Sequence, residues 1–191
     1  MFKDEYSKAS YSESCKVSEA VNKESYELER HWEVTDTLYN ADGKVEKRVY
    51  YNTVVDDCSK LLAGLIKGNG FKGVQYWAVG KGESSWNNDN PPNPSVSDTR
   101  LRLESFRKAI EPDNIRFLDA SNNPTDEVTN KLEIKVLFTE NEANGELREF
   151  ALFGGNATST ANSGVMLNRK THPLIYKTSG MRLERIIRLI L

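Results

Sequence analysis

From Lys131 to Thr139, Leu132, Ile134, Val136 and Phe138 alternate with Lys131, Glu133, Lys135 and Leu137. A period of two sends successive side chains to opposite faces, so this stretch is a strand with one face in a core and most of the other in water. Burying the four apolar side chains is worth about 1.5–3 kcal/mol each before entropy is set against it. Asn144-Gly145 follows and leads into Leu147 to Phe153. A type I′ turn needs positive φ at both central positions, which Asn-Gly supplies at little cost, so the sequence predicts a hairpin joining these two strands.

The rest of the chain reads in the same way. Tyr26 to Val34 and Val45 to Val55 are rich in β-branched and aromatic residues, and Asn40-Ala41-Asp42-Gly43 between them predicts another hairpin. Asp56 or Asp57 is placed to cap a helix carrying Leu61, Leu62, Leu65 and Ile66 at helical spacing and ending at Gly68. Val74 to Val79 reads as a buried strand, followed by a Pro- and Asn-rich surface loop from Gly80 to Asp98. Ser97 or Asp98 predicts a second short helix or turn through Arg107. Strands are expected at Ile115 to Leu118, Val165 to Asn168, His172 to Lys177 and Arg182 to Leu191, the last two joined at Ser179-Gly180. The expected fold is mainly β: an antiparallel β-sandwich or jelly-roll-like body with one or two short helices.

Residues 1–25 are polar and nearly free of large aliphatics, which predicts a flexible arm outside a single β-rich domain of residues 26–191. Phe2, Tyr6 and Tyr11 are the arm's candidate anchors on a partner subunit. Its start has no apolar run, so neither a signal peptide nor a membrane insertion is expected. A net charge of −2 gives no reason to expect nucleic acid. Cys15 and Cys58 form no CxxC, and only His31 and His172 are available to join them around zinc, so free thiols and no metal are expected.

No reactive constellation stands out. Gly80-Lys81-Gly82 with Ser85 completes neither phosphate-loop pattern, and the Asn and Asp residues of 87–90 lack the spacing of a calcium loop. The neighbours Asp56 and Asp57, and Glu140 with Glu142, read as caps and surface charges; there is no GxSxG elbow. An enzyme is therefore not expected, and no cofactor is implied. Trp86 lies in a polar loop where an exposed indole needs a partner, either protein or sugar, and with Trp32, Trp77, Tyr50, Tyr51 and Tyr76 it is a candidate sugar platform. From Val165 to Leu191, Arg169, Lys170, Lys177, Arg182, Arg185 and Arg188 face the single acid Glu184, while the first thirty residues lean acidic. This asymmetry suits docking between subunits, with Arg169, Lys170, Arg182, Arg185 and Arg188 as interface candidates.

The succession "QYWAVGKG", "SDTRLRLESFRKAI", "FTENEANGELREFALFGG", "SGVMLNRKTHPLIYKT" and "LERIIRLIL" resembles a family of small structural proteins of bacteriophage tails and phage-tail-like contractile injection particles. The similarity runs from about Tyr26 to the C-terminus, and the order of the segments is its distinctive part. Ala151 stands where a glycine is more usual, and the Pro/Asn loop from Trp86 to Pro94 is longer. The resemblance implies a particle component without catalysis, in a fibre, the baseplate or a cap adaptor. It would bind copies of itself and other tail, tube, sheath, baseplate or cap proteins, after assembly in the bacterial cytoplasm. A carbohydrate- or receptor-binding module of a tail fibre is the alternative.

Overall fold

The computed structural model describes residues 32–191, so the expected arm, with Phe2, Tyr6 and Tyr11, lies outside the described residues. Eleven strands, one α-helix and a single 3₁₀ turn at Pro112–Asn114 are present among them. They are β1 (Glu33–Tyr39), β2 (Val45–Tyr51), β3 (Thr53–Val54), α1 (Asp56–Lys67), β4 (Lys72–Gly80), β5 (Glu104–Ala109), β6 (Ile115–Leu118), β7 (Pro124–Thr125), β8 (Lys131–Phe138), β9 (Gly145–Gly155), β10 (Val165–Lys177) and β11 (Arg182–Ile190). One antiparallel sheet runs β2-β1-β11-β8-β6-β7 and the other β3-β10-β9-β4-β5, making the expected β-sandwich. No helix among the described residues is long and apolar enough to cross a membrane.

The first strand falls at Glu33–Tyr39 and not over the expected Tyr26 to Val34, whose residues 26–31 lie outside the described residues, and the expected strand Val45 to Val55 is two, β2 and β3, in different sheets. β1 and β2 form the first hairpin, closed by Asn40 N–H to Lys44 O at 2.8 Å, with Gly43 at φ 84°. In α1, Asp56 and Asp57 sit in the first turn beside the positive end of the helix dipole, while Val55 takes the cap position without a side-chain cap. Gly68 ends the helix in the left-handed region at φ 68°. On β8, Ile134, Val136 and Phe138 are buried on one face, as the alternation requires.

Four further expectations are corrected. β8 does not pair with β9: it lies between β11 and β6, and β9 lies between β10 and β4 in the opposite sheet. Positive φ falls on Ala143 (53°) and Gly145 (110°) with Asn144 between them, so the connection is an arch from sheet to sheet and not a type I′ turn. Side chains hold that arch. Lys177 Nζ donates to Thr139 O (2.7 Å) and Asn144 Oδ1 (2.9 Å), and Glu142 accepts from Lys108 Nζ (2.6 Å) and Thr139 N–H (2.9 Å). The Ser179-Gly180 turn likewise crosses between sheets, because β10 and β11 belong to different ones. The expected strands 165–168 and 172–177 are one strand, β10, bulged against β9 between Thr171 and Ile175. Finally, the segment expected as a second helix through Arg107 is a loop followed by the edge strand β5.

Between the sheets, Val34, Ile134, Phe138, Leu183 and Ile187 meet Trp77, Phe150, Leu152 and Leu167. The five-stranded sheet is also covered on its outer face, where Ala78, Ala151, Phe153 and Met166 pack against Val55, Leu101 and Ala157. The loops 81–103 and 156–164 thus add a third layer, and Leu101 N–H donates to Asn162 Oδ1 (2.9 Å) where they meet.

At Gly154 on β9 an added Cβ would lie 2.4 Å from the carbonyl oxygen of Gly73, whereas one at Gly73 would meet nothing within 4 Å. Gly154→Ala is therefore expected to cost about 1–3 kcal/mol in urea unfolding, since backbone must move. Gly73→Ala should stay within about 0.5 kcal/mol of the parent.

Candidate functional site

Glu149 on β9 and Arg169 on β10 both project to the outer face of the five-stranded sheet, beneath the loop 81–103. Arg169 donates to Glu149 Oε2 from Nη2 (2.6 Å) and Nε (3.2 Å), and to Asp98 Oδ2 from Nη1 (2.6 Å). Glu149 also accepts backbone N–H groups of Leu103 (2.9 Å), Arg102 (3.1 Å) and Gly82 (3.2 Å). The Arg169 and Glu149 side chains are 3% and 0% exposed, so each charge is neutralised and hydrogen-bonded where water cannot reach it. Beside them Arg107 forks onto Glu104 (2.7 and 2.9 Å), reaches Thr158 O and Ser163 O, and lies 4.4 Å above the Phe153 ring.

The glycines that suggested a phosphate loop serve this carboxylate. A Cβ at Gly80 would meet Leu103 O at 2.6 Å and Glu149 Oε1 at 2.7 Å. At Gly82, with φ 67°, it would meet the Trp86 ring at 2.3 Å. Trp86 is half-buried, packed on Gly82 with the Arg169 guanidinium 5.7 Å from its ring, so the indole caps the ion pair.

A second ionic cluster lies between the sheets. Arg185 Nη2 donates to Asp36 Oδ2 (2.9 Å) and to His172 Nε2 (2.8 Å), and Tyr50 donates its hydroxyl to Asp36. His172 therefore accepts at Nε2 and donates its Nδ1–H to Pro173 O (2.8 Å), the neutral tautomer. The guanidinium also stacks on Phe150 at 4.4 Å. Burial, then the Arg185 charge, hold the His172 pKa well below its usual value; burial, then Asp36, push the Tyr50 phenol well above its own.

The basic interface candidates consequently divide. Arg169 and Arg185, expected at a docking face, are interior, because each has a buried carboxylate to neutralise it. Lys170 is partly buried with Nζ 5.5 Å from the Tyr50 ring, and burial lowers its pKa. Arg182 and Arg188 are exposed, bridged to Glu140 (3.7 Å) and Glu133 (2.9 Å). The aromatic platform candidates are not gathered: Trp32 and Trp77 are in the core, Tyr51 stands exposed on β2, and Trp86 covers Arg169. Cys58, in the first turn of α1, is buried, its thiol pushed up to about 11 by burial. Among the described residues no three His, Cys, Asp or Glu side chains gather as metal ligands.

One surface is left open. β2 is the edge of its sheet, and its outward row shows Val45 at 58%, Val49 at 56% and Tyr51 at 60% exposure. Sequence reasoning missed this row, since its alternation with Glu46, Arg48 and Tyr50 was read only as a strand; the apolar side was not assigned to solvent. Neither a protein-family model nor a curated protein sequence matches the chain.

Removing one member of a buried ion pair leaves the other charged and dry. Glu149→Ala is expected to cost about 3–5 kcal/mol in denaturant melts, and the double variant Glu149→Leu/Arg169→Met to recover only part of it, because the N–H groups of Gly82, Arg102 and Leu103 lose their acceptor and Asp98 its arginine. Limited proteolysis of Glu149→Ala should cut first within residues 81–103.

His172 gives a pH signature. Its folded pKa lies below the unfolded value of about 6.5, so the unfolded state binds the extra proton and stability falls as pH drops below about 6.5. The slope approaches about 1.4 kcal/mol per pH unit. Thermal melts between about pH 6.5 and 5 should show a flatter dependence in His172→Gln.

Proposed function

We propose that the chain is a non-enzymatic structural subunit of a bacteriophage tail or phage-tail-like contractile injection particle. It assembles as a symmetric homo-oligomer and docks on neighbouring tail, baseplate or cap proteins. The observation that carries this reading is the edge strand β2. Among the described residues it has β1 as its only strand neighbour, and it carries Val45, Val49 and Tyr51 outward beside Tyr39 of β1. A seven-residue edge whose outward row is Val45, Lys47, Val49 and Tyr51 is a template for another strand. Antiparallel pairing of two β2 strands about Val49 sets Val49 against Val49 of the copy and Lys47 against Tyr51, a self-complementary patch of the kind a twofold interface needs.

The family resemblance supports the same reading. Its segments "QYWAVGKG", "EFALFGG" and "SGVMLNRKTHPLIYKT" fall on β4, β9 and β10, three adjacent strands of one sheet. A rigid body that presents an edge many times over turns modest pairwise affinity into firm assembly.

Light scattering on the purified protein should give an oligomer, and Val49→Asp should shift it to smaller species while its circular dichroism stays that of the parent. Particles produced without the chain should be incomplete by electron microscopy. A monomeric parent together with intact, active particles lacking the chain would overturn the proposal.

A further inference from the structure

At one pole of the sandwich, where β1 begins and β11 ends, the outer face of the six-stranded sheet dips into a concavity of about 250 Å³. The strand register shows what lines it. Glu33 stands between Tyr51 of β2 and Arg188 of β11, and two residues further along β11, Ile190 stands beside Lys131 of β8. These five side chains share one face, because residues paired across strands, and residues two apart on one strand, project the same way. The turn joining β6 to β7 adds Asn122 on the Lys131 side.

Two apolar surfaces meet solvent here: Tyr51 is 60% exposed and Ile190 53%. Their strands lie two spacings apart, about 10 Å, so a ring-sized body fits between them. Of the aromatic residues expected to form a sugar platform, Tyr51 is the one that stands exposed. An exposed phenol ring facing an exposed aliphatic side chain favours a ligand with an apolar face.

The polar groups around them are tethered but keep bonding capacity. Arg188 donates from Nε to Glu133 Oε2 (2.9 Å), and Lys131 Nζ donates to Ala120 O (3.3 Å) and Asn122 Oδ1 (3.4 Å). Those bonds hold the side chains while the Arg188 Nη groups, the amide hydrogens of Asn122 and the Glu33 carboxylate remain for a ligand. Asn122 is set by its backbone as well, at φ 65° in the Asp119–Asn123 turn.

Charge decides the ligand class. Arg188 and Lys131 are matched by Glu33 and Glu133, so an anion entering here meets two carboxylates as well as two cations. The site instead suits a neutral molecule rich in hydroxyls, each of which both donates and accepts. A volume of about 250 Å³, below the ~300–1,000 Å³ of drug-sized ligand sites, matches one or two sugar rings.

We propose that this concavity is a carbohydrate subsite: a pyranose ring of a neutral oligosaccharide lays its C–H face on Tyr51 beside Ile190, and its hydroxyls bond Glu33, Arg188 and Asn122. Strand pairing along the β2 edge uses backbone groups in the plane of the sheet and leaves this face clear. Sugar binding and assembly are therefore separable, and neither rests on the other.

Full-length protein on an array of neutral and sialylated oligosaccharides should bind neutral members, and titration of the best of them by saturation-transfer NMR should give a Kd in about the millimolar range. Tyr51→Ala should weaken binding about tenfold or more, and Tyr51→Phe should keep it, because the ring makes the contact. Asn122→Ala, remote from β2, should weaken binding about threefold or more with oligomer size unchanged in light scattering. Tyr176→Ala, which removes an equally exposed tyrosine from β10, should leave binding unchanged. No neutral oligosaccharide bound, or binding that Tyr51→Ala and Asn122→Ala both leave intact, would overturn the proposal. A preference for sialylated members, or competition by inorganic phosphate, would also overturn it, by making the concavity an anion site.

Discussion

The Arg169–Glu149 pair is the interaction on which the layered body depends. A sheet buried on both faces has no solvated side on which to place a charge, so β9 and β10 can carry these two residues only because they neutralise one another. Glu149 then uses its remaining acceptor capacity on the backbone of Gly82, Arg102 and Leu103, and Arg169 reaches Asp98. One ionic centre thereby fastens both ends of a loop of more than twenty residues to the sheet. The glycines at 80 and 82 and the indole of Trp86 follow from it, as the space and the roof that the pair requires.

The inter-sheet cluster of Asp36, Tyr50, His172 and Arg185 acts in the same way on the other side of the five-stranded sheet. It joins β1, β2 and β11 of one sheet to β10 of the other, so it sets the register of the two layers and not only their distance apart. Buried ion pairs are weak evidence for high stability, because desolvation offsets most of their attraction, but a mispaired arrangement would strand a charge. Specificity of packing is what such clusters contribute here. The arch at Thr139–Asn144, held by Lys108 and Lys177, applies the same device where the chain changes sheets. The result is a stiff body whose open features lie at its edge and at one pole.

Residues with a short-range signature were legible. The β8 alternation, the Asn40–Gly43 turn, the helix ending at Gly68 and the antiparallel sandwich class all follow from periodicity and turn chemistry within a dozen residues. Interfaces of Arg169 and Arg185 were not, since a charge count along the chain contains no information on which arginines meet a carboxylate from another strand. Asp98 was read as a cap and Glu149 only as part of a strand, and they lie 71 and 20 residues from Arg169.

The sequence by itself determined that the chain forms strands, where most of them lie, and that apolar and polar faces alternate. Those properties are set by backbone sterics and by neighbours one to four residues away. Tertiary structure alone decided which strands share a sheet: Asn144-Gly145 and Ser179-Gly180 carry hairpin chemistry yet bridge the two layers. A turn dipeptide only reverses the chain. Whether the returning strand joins its predecessor or crosses the core depends on how each candidate partner buries its side chains and neutralises its charges, and those partners come from the whole length of the chain.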